Sequence, residues 1–209
     1  MHTKHIVTAG RELTSADRAL ILVHGRGGTA EDILTLADSL PVKGYALLAP
    51  QATRNSWYPY SFLAPPAENQ PWLDSALDLL GGAVEDVLSA GIERNRIFFA
   101  GFSQGACLTL EFVTRHAARY GGVAAFTGGL IGDRIYEQHY KGDFDGTPFF
   151  IGTGDRDLHV PLERVDNSVR LLRGMGADVT EKVYPGRVHT IVADELAQAA
   201  KIVFGGTRV

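Results

Sequence analysis

The chain has 209 residues, of which 45% are hydrophobic and 21% charged, and a formal net charge of -4. This is ordinary globular composition, long enough for one medium domain with a sizeable core spanning residues 1–209. The acidic balance, with no run of five or more like charges, excludes a dedicated nucleic-acid binder.

The N-terminus, Met-His-Thr-Lys-His-Ile-Val, lacks the apolar region of a signal peptide. No apolar run along the chain approaches the roughly 18 residues of a membrane span. Both points favour a cytoplasmic protein. Ala19–Val23 is a continuous apolar run that reads as a buried strand. His24-Gly25-Arg26-Gly27-Gly28 follows it, and Thr29 with Asp32 then resembles a capping box. Ile33, Leu36, Ala37 and Leu40 fall on one helical face, and Tyr45–Leu48 is a second strand.

Residues 53–71 break the rhythm with aromatics and prolines. A structureless loop of this length is often functional. It reads either as a surface excursion packed by its own aromatics or as a wall over an active site. In the second case Trp57 and Tyr58 face the substrate, which suits a loop that follows a strand's carboxyl end.

Leu73, Ala76, Leu77, Leu80, Val84, Val87 and Leu88 form a long helical stripe, with Pro71 placed for N1 and Gly91 just past its end. Strands follow at Ile97–Ala100, Val123–Phe126, Phe149–Ile151 and Val179–Tyr184. A helix lies over Ala106–Val113. Pro161 and Gly174 bracket another, with Leu162, Val165, Val169 and Leu172. Val192, Ala193, Leu196, Ala200 and Val203 form the last, stopped by Gly205-Gly206. Alternating strands and helices predict an α/β three-layer fold with a mostly parallel sheet. In such sheets the active site lies at the carboxyl ends of the strands.

Between the strand Ile97–Ala100 and its helix stands Gly101-Phe102-Ser103-Gln104-Gly105. G-x-S-x-G between strand and helix is the context of a nucleophile elbow, where a sharp turn lifts the serine hydroxyl above the sheet. A Cβ at Gly101 or Gly105 would collide with the tight turn. A serine hydroxyl needs an adjacent base. In this architecture an acid and then a histidine follow the serine. His189 lies after the last strand and before the last helix, placed to reach back to Ser103. His2, His5, His24, His116 and His139 compete poorly by position. After Phe149–Ile151, Asp155 and Asp157 both qualify as the acid. Asp157 precedes the Val160-Pro161 pair that opens the next helix and is better placed to approach His189, while Asp155 suits turn hydrogen bonds.

A developing oxyanion needs two preorganised N–H donors. One is the backbone amide of Gln104, and the loop after Ala19–Val23 supplies the other. The glycines of that loop match no phosphate-binding pattern. Cys107, the only cysteine, lies on the apolar helix and reads as a core residue, and it excludes an internal disulfide. No cluster has zinc-like spacing, so neither metal nor cofactor is expected.

Taken in order, His24-Gly25, Gly101–Gly105, Asp157–Pro161 and His189-Thr190 make the chain resemble the phospholipase/carboxylesterase branch of the α/β-hydrolases. That branch includes acyl-protein thioesterases and small bacterial carboxylesterases. The resemblance implies Ser103 as nucleophile, Asp157 as orienting acid and His189 as base, with the amides of Arg26 and Gln104 as oxyanion donors. His24, Gly25, Trp57 and Tyr58 are the expected substrate contacts. The resemblance also implies a minimal α/β-hydrolase without a large lid, often a homodimer, and a small-molecule ester as partner. Arg26 stands where acyl-protein thioesterases tend to have an apolar residue. The segment Ser56-Trp57-Tyr58-Pro59-Tyr60 looks more like the bacterial carboxylesterases. Both shift the expectation from long lipid chains to short acyl groups, with Arg26 as a cation favouring acidic or polar ones. The expected function is a serine carboxylesterase. A thioesterase or lysophospholipase is the runner-up, and a non-catalytic ligand-binding relative the remote alternative.

Overall fold

A computed structural model describes residues 1–205. Its sheet has seven strands in the order β1-β3-β2-β4-β5-β6-β7. They are β1 (Ile6–Gly10), β2 (Ala19–Val23), β3 (Ala46–Pro50), β4 (Ile97–Phe102), β5 (Gly122–Phe126), β6 (Pro148–Gly154) and β7 (Asp178–Tyr184). β1 is antiparallel to β3, and every other neighbouring pair is parallel.

The unbroken apolar text of the central strands has a direct cause. Ala19, Ile21 and Val23 of β2 face one core, while Leu20 and Leu22 face the other. β4 divides likewise, Ile97 and Phe99 against Phe98 and Ala100. Successive residues of a strand point to opposite faces, so a sheet covered on both sides needs apolar residues throughout. Helices α2 (Trp72–Ser89), α3 (Gln104–Arg115) and α4 (Leu162–Gly174) fill the first core. Helices α1 (Ala30–Leu34) and α5 (Ala193–Ala199) cover the second. This is the expected α/β three-layer architecture.

Local chemistry sets the start of α1 and the end of α2. Thr29 Oγ1 accepts the Asp32 amide at 3.1 Å, and the Asp32 carboxylate accepts the Thr29 amide at 3.0 Å, which is the predicted capping box. Gly91, at φ 90°, ends α2. Its amide donates to Leu88 O and that of Ile92 to Val87 O, a Schellman closure that a left-handed glycine permits. Pro71 is the N-cap of α2, one place earlier than predicted.

Two expectations need correction, and one strand was missed. The stripe from Ile33 to Leu40 is not one helix: α1 stops at Leu34 and a 3-10 segment, Thr35–Ser39, carries the chain on. The last helix changes to π geometry over Ala200–Phe204. Gly205 follows it, and Gly206 lies outside the described residues. β1 went unpredicted because none of its five residues is fully buried and no apolar period marks it. Its strand identity comes from pairing at the sheet edge, Ile6 opposite Pro50.

Candidate active site

Ser103 ends the turn from β4 into α3 at φ 56° and ψ -122°, outside the regions open to most side chains. Its amide donates to Phe126 O at 3.0 Å, which fastens the turn to the neighbouring strand. Both motif glycines are sterically required. A Cβ on Gly101 would lie 2.6 Å from Gly105 O, and one on Gly105 would overlap the carbonyls of Val23 and His24. We expect Gly105→Ala to force β2 and α3 apart and lower stability by about 1–3 kcal/mol or more, read as a drop in Tm. An unchanged Tm would show that the elbow tolerates a Cβ.

The structure brings the three expected side chains together. His189 Nε2 lies 2.7 Å from Ser103 Oγ, and His189 Nδ1 lies 2.7 Å from Asp157 Oδ2. Asp157 Oδ1 accepts the amides of His159 and Val160 at 2.8 and 2.9 Å. Burial works to raise the Asp157 carboxyl. The hydrogen bonds from His189 and from the Val160 and His159 amides outweigh it and hold the carboxyl below its usual range. Asp155 points elsewhere and accepts the Gly186 amide at 2.6 Å.

Gln104 begins α3, so its amide has no carbonyl one turn back to bond. Arg26 is the second residue of a turn closed by Gly28 N donating to Gly25 O at 3.1 Å, which leaves the Arg26 amide outside that bond. The loop lies close to the elbow: a Cβ on Gly25 would stand 3.3 Å from Ser103 Cβ.

The expected substrate contacts divide. Tyr58 lines a cavity of about 470 Å³ together with Phe62, Ser103, Cys107, Val160 and His189. His24 and Trp57 are buried behind it and do not reach its surface. His24 Nε2 accepts the Ala52 amide at 3.1 Å, which leaves Nδ1 to donate to Gly25 O at 2.7 Å. Burial lowers its pKa and favours this neutral form. Trp57 Nε1 donates to His24 O at 2.8 Å. Both residues therefore brace the first loop. The Cys107 thiol is pushed up to about 12 by burial, consistent with an unreactive core residue.

Of residues 53–71, Tyr58, Pro59, Tyr60, Ser61 and Phe62 line the cavity, and the pins that hold the stretch were not foreseen. The Arg26 guanidinium donates to Ser56 Oγ and to the carbonyls of Tyr58, Pro59 and Tyr60, at 2.7–3.0 Å. The Gln104 side chain accepts the Trp57 amide at 3.0 Å and donates to Tyr58 O at 2.9 Å. Buried Asn69 accepts the Tyr60 amide and donates to Ser61 O. From the other end of the chain, His2 accepts the Thr53 amide and contacts Trp57 O at 2.9 Å. Arg26 thus clamps this stretch while itself lining the cavity, and its partners there are neutral oxygens that leave its charge uncompensated. Irregular loops carry no periodicity, so none of these pins was legible beforehand.

The chain matches the phospholipase/carboxylesterase family over residues 3–203. It belongs to that family. A phospholipase/carboxylesterase from Dyadobacter fermentans is 53% identical, with a TM-score of 0.95 over 97% of each chain. A probable carboxylesterase of Arabidopsis thaliana, SOBER1-like, is 28% identical over 90% of this chain and 79% of its own. Acyl-protein thioesterase 1 of Gibberella zeae is 32% identical, and the match covers 54% of this chain and only 49% of that relative. The phospholipase/carboxylesterase family is thus one of α/β-hydrolases named as esterases and thioesterases. Among the described residues, no helix is long and apolar enough to cross a membrane.

Proposed function

We propose that the protein is a serine carboxylesterase acting on small, short-acyl esters, with Ser103, His189 and Asp157 as its triad. The observation that carries this reading is the unbroken hydrogen-bond chain Ser103–His189–Asp157 opening onto a cavity. In the proposed mechanism His189 Nε2 takes the Ser103 proton as Oγ attacks the ester carbonyl. Asp157 holds the Nδ1–H tautomer and stabilises the imidazolium. The Arg26 and Gln104 amides receive the oxyanion. His189 then protonates the departing alcohol, and water releases the acyl group by the same steps reversed.

Short acyl groups suit a wall that is pinned rather than free to open. Hydrolysis of p-nitrophenyl esters from acetyl to dodecanoyl, with Ser103→Ala as control, tests the reading. Turnover should peak at short chains, and a peak at long chains would overturn the short-acyl assignment. The thioesterase reading draws on exposed Tyr60, which lines the cavity, and on exposed Leu158 and Val188, the chain neighbours of the lining residues His159 and His189, as a surface for a longer acyl chain. Matched oxygen and thio esters separate the two.

Arg26→Ala keeps its backbone amide but loses the clamp. Its KM should rise about 10-fold for neutral and anionic esters alike, on the strength of several charge-assisted hydrogen bonds, while kcat changes less. A selective loss of anionic esters would instead assign the charge itself a binding role.

A further inference from the structure

A buried ion pair outside the three central residues is left unexplained by this mechanism. Arg187 stands two residues before His189, and its side chain is 6% exposed, while that of its partner Glu195 is fully buried. Arg187 Nη1 donates to the Glu195 carboxylate and also to Thr190 O at 2.7 Å. Nη2 donates to Thr127 Oγ1 at 3.2 Å, in the turn after β5. The guanidinium therefore grips the chain on the far side of His189 while its own Cα fixes the near side. The Arg187 carbonyl accepts the Arg156 amide at 3.3 Å, next to Asp157, and so joins the acid loop to the histidine loop. Glu195 opens α5 and packs against Gly152 of β6 so closely that a Cβ there would overlap its carboxylate.

We infer that the Arg187–Glu195 pair is a positioning device that holds the His189 loop in register with Asp157 and Ser103. This rests on the triad reading above. Stability is a poor account of the pair. Among the described residues Arg187 Nε and Glu195 Oε1 have no partner, and buried pairs are often replaced by apolar residues at no net cost. What the pair supplies is a fixed loop: one planar guanidinium reaches three acceptors on three segments, which a flexible lysine ammonium cannot match.

The test is the double substitution Arg187→Met with Glu195→Leu, which removes both charges at similar volume. We expect a Tm close to the parent, KM for p-nitrophenyl acetate within about two-fold, and kcat reduced about 10–100-fold, since small misplacements of catalytic groups cost about that much. The far-downfield proton resonance of the His189–Asp157 hydrogen bond should broaden or vanish at the same time. A folded double variant with parental kcat and an intact downfield resonance overturns the proposal. Should the double variant not fold, Arg187→Lys serves. It keeps the charge beside Glu195, and its kcat should still fall at constant KM, whereas a parental kcat overturns the proposal. Parent protein without Ser103-dependent turnover would refute the esterase reading instead. The downfield resonance still reports on the positioning role in that case.

Discussion

Ser103→Ala should lower kcat on any ester by about 10,000-fold or more while leaving the fold intact. The hydroxyl is the one group placed 2.7 Å from His189 Nε2, so its removal takes away both nucleophile and proton donor. Cys107 cannot substitute, because its thiol is buried and stays protonated far above neutral pH. The turn itself survives, since alanine meets the same backbone strain as serine at φ 56° and the amide of residue 103 still bonds Phe126 O. KM should therefore stay near the parental value, and Tm within a few degrees. Residual turnover would come from water attacking an ester held by the oxyanion donors. Steady-state kinetics beside a thermal melt check the expectation. Retained turnover in pure, folded Ser103→Ala protein would remove Ser103 from the mechanism.

Asp157→Asn should cost about 1,000–10,000-fold in kcat with little change in KM. The substitution preserves shape, and the asparagine oxygen can still accept the amides of His159 and Val160. Its NH₂ group then faces His189 Nδ1. Two donors cannot share that position, so the imidazole turns to the tautomer with Nε2–H, which cannot accept the Ser103 proton. The developing imidazolium also loses its counter-charge. The native carboxyl is held below its usual range, so its contribution to stability is complete above that range and fades as acid protonates it. A side-chain amide does not titrate in this range, so the variant's Tm should change less with falling pH than the parent's. A kcat within ten-fold of the parent would mean that His189 keeps its tautomer without Asp157.

Legibility followed the physics of each signal. Strands β2, β4, β5 and β6 were visible because burial on both faces demands continuous apolar text. The capping box of α1 and the glycine stop of α2 were visible because each depends on residues within a few positions. Ser103, Asp157 and His189 could be named because chain order in this architecture places each at a strand's end. β1 was not visible, since an edge strand with exposed side chains is defined by its partner.

Sequence by itself determined the layered α/β architecture, the strained serine turn and the three side chains that converge on it. All of these rest on local patterns and on an order of elements that the chain displays directly. Only the tertiary structure decided what surrounds them. It gave Arg26, at the cavity lining, the role of a clamp, buried His24 and Trp57 behind the cavity, and placed Arg187 and Glu195 in contact beside the histidine loop. The reason is common to all: a hydrogen bond between distant segments depends on where the sheet brings their ends. No periodicity in an irregular loop records which carbonyl a guanidinium will find.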